Sequence, residues 1–187
     1  MLMFGVLAGG LSGLLVVPLL EYLWHARVAH GHRPDPSRDT HLEHHRDAYG
    51  VPPPWDEIRA ALPRVSLALA GIAAVVALVV DVGPAIGVTV GLFGGWVLVE
   101  FGHAQMHVRA PRTRWERWMW RFHWHHHAAD ARKNFGLTNP IFDYVFGTAV
   151  APDKVVVPER IAPPWLREAG SIGGLELRRS PRIDAGE

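Results

Sequence analysis

Three stretches of this chain carry no charged residue: 2–20, 65–80 and 84–99. Crossing the hydrocarbon core of a bilayer takes about 20 apolar residues as a helix. Lipid tolerates little else from a single apolar run, because every backbone polar group must be satisfied internally. The turn Asp81-Val82-Gly83-Pro84 is too short for anything but a tight helical hairpin between the second and third runs. A buried hairpin of a soluble protein is the competing reading, since each run is slightly short. The charges favour the membrane: every Lys and Arg falls within 21–64 or after His107, and none precedes the first run or sits in the turn. The positive-inside rule then puts both arginine-bearing regions in the cytoplasm, with the N-terminus and the turn outside. A cleaved signal peptide fits poorly, because the first run lacks a basic leader and a small-residue cleavage site.

This topology predicts an all-α integral membrane bundle of about three transmembrane helices spanning 1–150. Pro18 is tolerable in such a helix as a kink. Gly5, Gly9 and Gly13 recur every four residues in the first run, and Gly87, Gly91 and Gly95 in the third. Small residues at that spacing let helix backbones approach closely, so these two faces are expected to pack on each other; a homo-oligomer contact is the alternative. Between the first two spans, Pro34 and Pro36 stop any helix running through His30, and 51–54 is a stiff Pro-rich connector. Residues 112–130 read as an amphipathic Trp- and Arg-rich helix suited to the membrane interface. Asn139-Pro140 reads as a helix start, with Asn139 as cap. Residues 151–187 are polar and rich in Pro, Gly and Arg, and are expected to be an extended or disordered tail without catalytic content.

The chemistry lies in the histidines. All twelve fall in or beside four clusters, and the proposed topology brings all four to the cytoplasmic side. If Pro84 starts the third helix, His103 lies ~29 Å along it, about one hydrocarbon thickness. His103 and His107 are four apart; His41, His44 and His45, and likewise His123, His126 and His127, are related by three and four. Residues so spaced share a helix face. His25 and His30 are five apart, about 140° around an α-helix, and so serve two neighbouring ions more easily than one. Together these are ten imidazoles, with His32 and His125 left over. Ten exceed the four ligands of a structural zinc site and suffice for two ions of about five ligands each. Imidazole suits iron, zinc, copper and nickel alike. Glu21, Glu100 and Asp130 lie three or four residues from His25, His103 and His127, where a carboxylate can accept the second ring N–H of a ligand. Passive metal storage is the bland alternative for such a set.

Composition narrows the partners. The net charge is +1 without a basic block, so a nucleic-acid partner has no support. With no cysteine, neither disulfides nor a cysteine-held iron–sulfur cluster can form. Arginine outnumbers lysine seventeen to two, and Ala, Gly and Val abound, a bacterial coding bias that suggests an inner (plasma) membrane.

The order His25-x4-His30, His41-x2-His44-His45, His103-x3-His107, His123-x2-His126-His127, closed by Asn134-Phe-Gly-Leu-Thr and Asp143-Tyr-Val-Phe-Gly-Thr148, resembles the fatty acid hydroxylase/sterol desaturase superfamily. The likeness covers roughly 21–148. It implies that the ten histidines are metal ligands, with Asn134 and Asp143 among the groups supporting them and no catalytic side chain beyond the metal centre. It implies two iron ions, with zinc as a substitute, and O2 as co-substrate, for hydroxylation or desaturation of a lipid, acyl or sterol-like. Lacking cysteine or a cytochrome-like domain, such a chain needs a separate electron donor of ferredoxin or cytochrome type. Two departures stand out. Members usually have four spans rather than three, and the short interval from His30 to His41 is closer to β-carotene hydroxylases, the runner-up. A non-catalytic membrane metal-binding protein is the rival of another class.

Overall fold

The computed structural model describes residues 1–48 and 54–180. Helix α1 (Leu2–Trp24) continues into a π-helical turn, His25–Ala29; α2 is Pro36–Arg46, α3 Pro54–Val79, α4 Val82–Val108, α5 Arg114–Ala128 and α6 Ile141–Phe146. Three helical segments, Leu2–Ala29, Ile58–Val79 and Val82–Val108, are long and apolar enough to cross a membrane. Their flanks expose Leu7, Leu11, Leu15, Leu67, Val75, Leu78, Val90 and Leu98, as a lipid-facing surface would. Pro18 sits inside α1 without ending it.

The glycine faces pack as expected. A Cβ on Gly9 would meet the backbone of Pro84 and Val88, and one on Gly13 that of Val88, Gly91 and Leu92. From the other side, a Cβ on Gly87 would strike Val6 and Gly10, and one on Gly91 would strike Gly10 and Leu14. Helices α1 and α4 therefore touch backbone to backbone. Val17, Leu92, Val99 and Leu137 close a small apolar core at the histidine-bearing end of this crossing. Helix α3 lies against α4, with Ile58 buried, Leu69 packed on the Val17 and Leu137 cluster and Arg64 donating to Ser37 of α2. Two shallow apolar grooves, one along α3 at Leu67 to Val76 and one between α3 and α4 at Ala73 to Val90, lie along the spans away from the histidines.

Three expectations need correction. Helix α3 begins at Pro54, not near residue 65, and carries Pro63 inside it; the connector residues 51–53 lie outside the described residues. Helix α6 starts at Ile141, with Pro140 in the cap position, although the Asn139 side chain still accepts from Ile141 N at 3.0 Å. Residues 151–180 do not form an extended or disordered tail, and 181–187 lie outside the described residues. The 151–180 segment forms β1 (Val155–Pro158), α7 (Pro164–Ala169), β2 (Ser171–Ile172) and β3 (Leu175–Arg178), a sheet of order β1-β3-β2 with β1 parallel and β2 antiparallel to β3. The reason is a shared core. Val155, Val157, Ile161, Leu166 and Leu175 are buried against Met119, Trp120 and Trp124 of α5, so the segment borrows the apolar surface its own composition lacks. Arg121 pins it by donating to the carbonyls of Pro152 and Gly173 at 3.0 and 2.7 Å. This small sheet is the one departure from an all-helical fold among the described residues.

Candidate metal centre

Local structure delivers each histidine. Asp35 caps α2 through Ser37 N, and Pro36 opens it, so His41, His44 and His45 fall on one face of a short helix. Helix α5 starts in a capping box: Thr113 accepts from Glu116 N, and Glu116 accepts from Thr113 N. Its C-terminal half presents His123, His126 and His127. The capping Glu116 also takes Arg109 at 2.6 Å and Arg112 N at 2.6 Å, and these hold its carboxyl at about 2, well below the usual range.

His25 and His30 behave differently from the α-helical expectation. The turn between them closes with His30 N donating to His25 O at 3.0 Å, an i to i+5 bond. In a π turn residues five apart stack where an α-helix would splay them. Both imidazoles therefore enter the same cluster. His41 Nε2 lies 3.0 Å from both His25 Nε2 and His30 Nε2. His30 and His45 each approach His126 Nε2 to 3.0 Å, and His45 returns to His41 at 3.1 Å.

These contacts are a convergence of lone pairs more than a hydrogen-bond network. His25 Nδ1 faces the carbonyl of Phe135 at 2.5 Å, and His126 Nδ1 that of Lys133 at 2.6 Å. A carbonyl only accepts, so each Nδ1 carries the proton and each Nε2 presents a bare lone pair inward. Nitrogens that share one ion at about 2.1 Å each lie roughly 3.0–3.4 Å apart, and the spacings found fall at the short end of that range. The second cluster joins His44, His103, His107 and His127, whose ligand atoms lie within 4.8 Å of one another. His123 approaches it through Nε2, 2.8 Å from His107 Nε2. Both ring nitrogens of His127 and Nε2 of His44 are buried without a hydrogen-bond partner. Unpaired buried nitrogens are costly unless a cation takes them. The His45 and His127 rings stack at 4.2 Å, so the two clusters adjoin. His32 and His125 belong to neither.

Burial keeps these imidazoles neutral at pH 7. Desolvation lowers His30 and His44 to about 4 and His45 to about 2, and pushes His41, His123, His126 and His127 well down. Trp124, fully buried, walls the second cluster at 5.1 Å from His107 and 5.5 Å from His127; Phe135 walls the first.

Glu21 and Asp130 do not do what their spacing suggests. Glu21 accepts from Leu137 N, from Thr138 N at 3.1 Å and from Thr138 Oγ1 at 2.9 Å, while His25 takes the Phe135 carbonyl. Asp130 is occupied by Arg132, and His127 has no hydrogen-bonding acceptor. Glu100 accepts from Trp96 Nε1 at 2.9 Å. Asn134 and Asp143 act on the loop 133–138. Asn134, at φ 58°, donates to the carbonyls of Phe122 and Val150 at 2.8 Å. Asp143 accepts from Phe135 N at 2.8 Å, Gly136 N at 2.7 Å and Thr148 Oγ1 at 2.7 Å. Sequence reasoning missed the carbonyls of Lys133 and Phe135, whose only signal was the Asn134-Phe-Gly motif around them.

The fatty acid hydroxylase family model matches residues 10–148, from within α1 to the end of this loop network. The chain belongs to the fatty acid hydroxylase family. Both histidine clusters have the donor set and spacing to hold a metal ion. A solved structure described as full-length Scs7p, with only its hydroxylase domain visible, has the same fold at TM-score 0.53 and 24% identity, over 80% of this chain and 58% of that one. No curated protein sequence matches.

Proposed function

We propose that this chain is an O2-dependent di-iron hydroxylase of the cytoplasmic face of a bacterial plasma membrane, acting on an unactivated C–H bond of an acyl or sterol-like lipid. The observation that carries the reading is the pair of adjoining, buried imidazole clusters, one with Nε2 atoms meeting at 3.0–3.1 Å. His25, His30, His41, His45 and His126 would hold one ion, and His44, His103, His107, His123 and His127 the other. Bound iron would supply the activation of O2; its electrons come from a separate donor protein, since the chain has no cysteine for a cluster of its own.

The protein's own part is to position and to dry the site. Phe135 and Lys133 carbonyls fix two imidazoles in the ligating tautomer. Trp124 and Phe135 exclude water, which strengthens every electrostatic interaction inside and suppresses side reactions. The site sits at the ends of α1 and α4, so an apolar tail in the bilayer reaches it laterally.

The test is mass spectrometry of total lipids from cells expressing the chain with a reductant system, against cells expressing His126→Ala. Lipids one oxygen heavier, absent with the variant, are expected. Products two hydrogens lighter would make the chain a desaturase. Identical lipid profiles would leave a metal-handling role.

A further inference from the structure

We infer that the loop 133–138, fastened by Glu21 and Asp143, makes the His25/His30/His41/His45/His126 cluster a tighter metal site than its neighbour. This rests on the proposed reading that the ten histidines hold two ions.

The two clusters are built differently. In the first, two of five imidazoles have their outer nitrogen anchored to backbone carbonyls, at 2.5 and 2.6 Å. Both carbonyls come from one short loop, either side of Asn134, whose left-handed conformation turns the chain between them. In the second, none of the described residues accepts a hydrogen bond from Nδ1 of His123 or of His127, and the one backbone neighbour is Ala48 beside His107, outside good hydrogen-bond geometry. Those rings are oriented by packing on Trp124 and on each other. A partner on the second ring nitrogen fixes the tautomer, removes rotational freedom and raises the basicity of the ligating nitrogen; losing one typically weakens a metal about 10–100-fold.

The anchors are themselves held. Asp143 grips the backbone at Phe135 and Gly136, and Glu21 grips it at Leu137 and Thr138. Glu21 thus lies one helical turn before His25 yet acts on it through the loop rather than directly. It is a positioning residue: remove it, and the Phe135 carbonyl loses its register against His25 Nδ1.

The experiment loads the full chain, purified in detergent, with Zn2+ as a redox-inert stand-in, and follows zinc per chain by plasma mass spectrometry as a chelator is titrated in. Wild type is expected to release two ions in two separated phases. His103→Ala should abolish the weaker phase and His126→Ala the tighter. Glu21→Ala should move only the tighter phase, by about 10–100-fold, while Glu21→Gln, which keeps an acceptor for Leu137 and Thr138, should restore it. Thr138→Val, a milder lesion, should move the same phase less. Two ions released in a single phase would overturn this inference alone, as would Glu21→Ala weakening both phases equally, the signature of general destabilisation. Fewer than two zinc ions on wild type would sink the two-ion reading and this inference with it.

Discussion

Replacing Gly13 by alanine adds one methyl group where α1 meets α4, and every atom it would meet is backbone. The new Cβ would stand 2.7 Å from Val88 O, 2.9 Å from Leu92 N and 3.1 Å from Gly91 Cα. Ordinary contact begins at 3.4 Å, so the helices must part by about 0.7 Å, and no rotamer change can absorb it. Overpacking of this kind costs about 1–3 kcal/mol. Alanine's better helix propensity returns up to about 1 kcal/mol. The balance is a loss of roughly 1–2 kcal/mol, or about 2–8 °C in Tm for a chain of this length. Gly94→Ala is the matched control, because a Cβ there meets nothing within 4 Å; it should leave Tm unchanged or raise it slightly. Tryptophan fluorescence during thermal unfolding in detergent reads both. Because the π turn continuing α1 carries His25 and α4 carries His103, Gly13→Ala should also lower bound zinc. Equal melting of the two variants would refute the backbone-to-backbone crossing.

Other expectations follow from single contacts. Glu116 is held at about 2 by Arg109 and the α5 cap; a depressed carboxylate stabilises fully above its unfolded value near 4.5 and loses that contribution as pH falls towards 2. Glu116→Gln keeps the capping-box acceptor but loses the charge facing Arg109, and should destabilise by about 0.5–1 kcal/mol at pH 6, a difference that melting curves should show shrinking below pH 4.5 and nowhere above it. Leu166→Ala, in the fully buried core that joins the C-terminal sheet to α5, should cost about 2–5 kcal/mol; an unchanged Tm would mean this sheet does not pack as described. His32→Ala should keep wild-type zinc content while His126→Ala loses metal, and equal loss in both would break the division between clustered and peripheral histidines.

Much of this architecture was legible in the sequence because it rests on strong periodic signals. Uncharged runs marked the three membrane-length helices, and glycines four apart marked the faces of α1 and α4, since only a missing Cβ permits that approach. Histidines three and four apart announced that their rings would converge. What escaped detection depends on backbone. The carbonyls of Phe135 and Lys133 are invisible to a reading that looks for carboxylates near histidines, and so the spacing of Glu21 and Asp130 points to contacts they do not make. The C-terminal sheet was hidden because its core is completed by Trp120 and Trp124 of α5. Trp165 of α7, which donates to the His107 carbonyl at 3.0 Å, ties the C-terminal segment to a candidate ligand from nearly sixty residues upstream.

The π turn at His25–Ala29 bears on how such motifs are compared. It takes up one more residue per loop of backbone than an α-helix, so a five-residue interval there delivers what a four-residue interval delivers at His103 and His107. Two histidines written with different gaps can thus be the same piece of geometry, and a one-residue insertion in this turn need not be read as a lost ligand. Spacing tables built on the α-helical period alone would discard His30. The meeting of its Nε2 with His41 and His126 at 3.0 Å restores it.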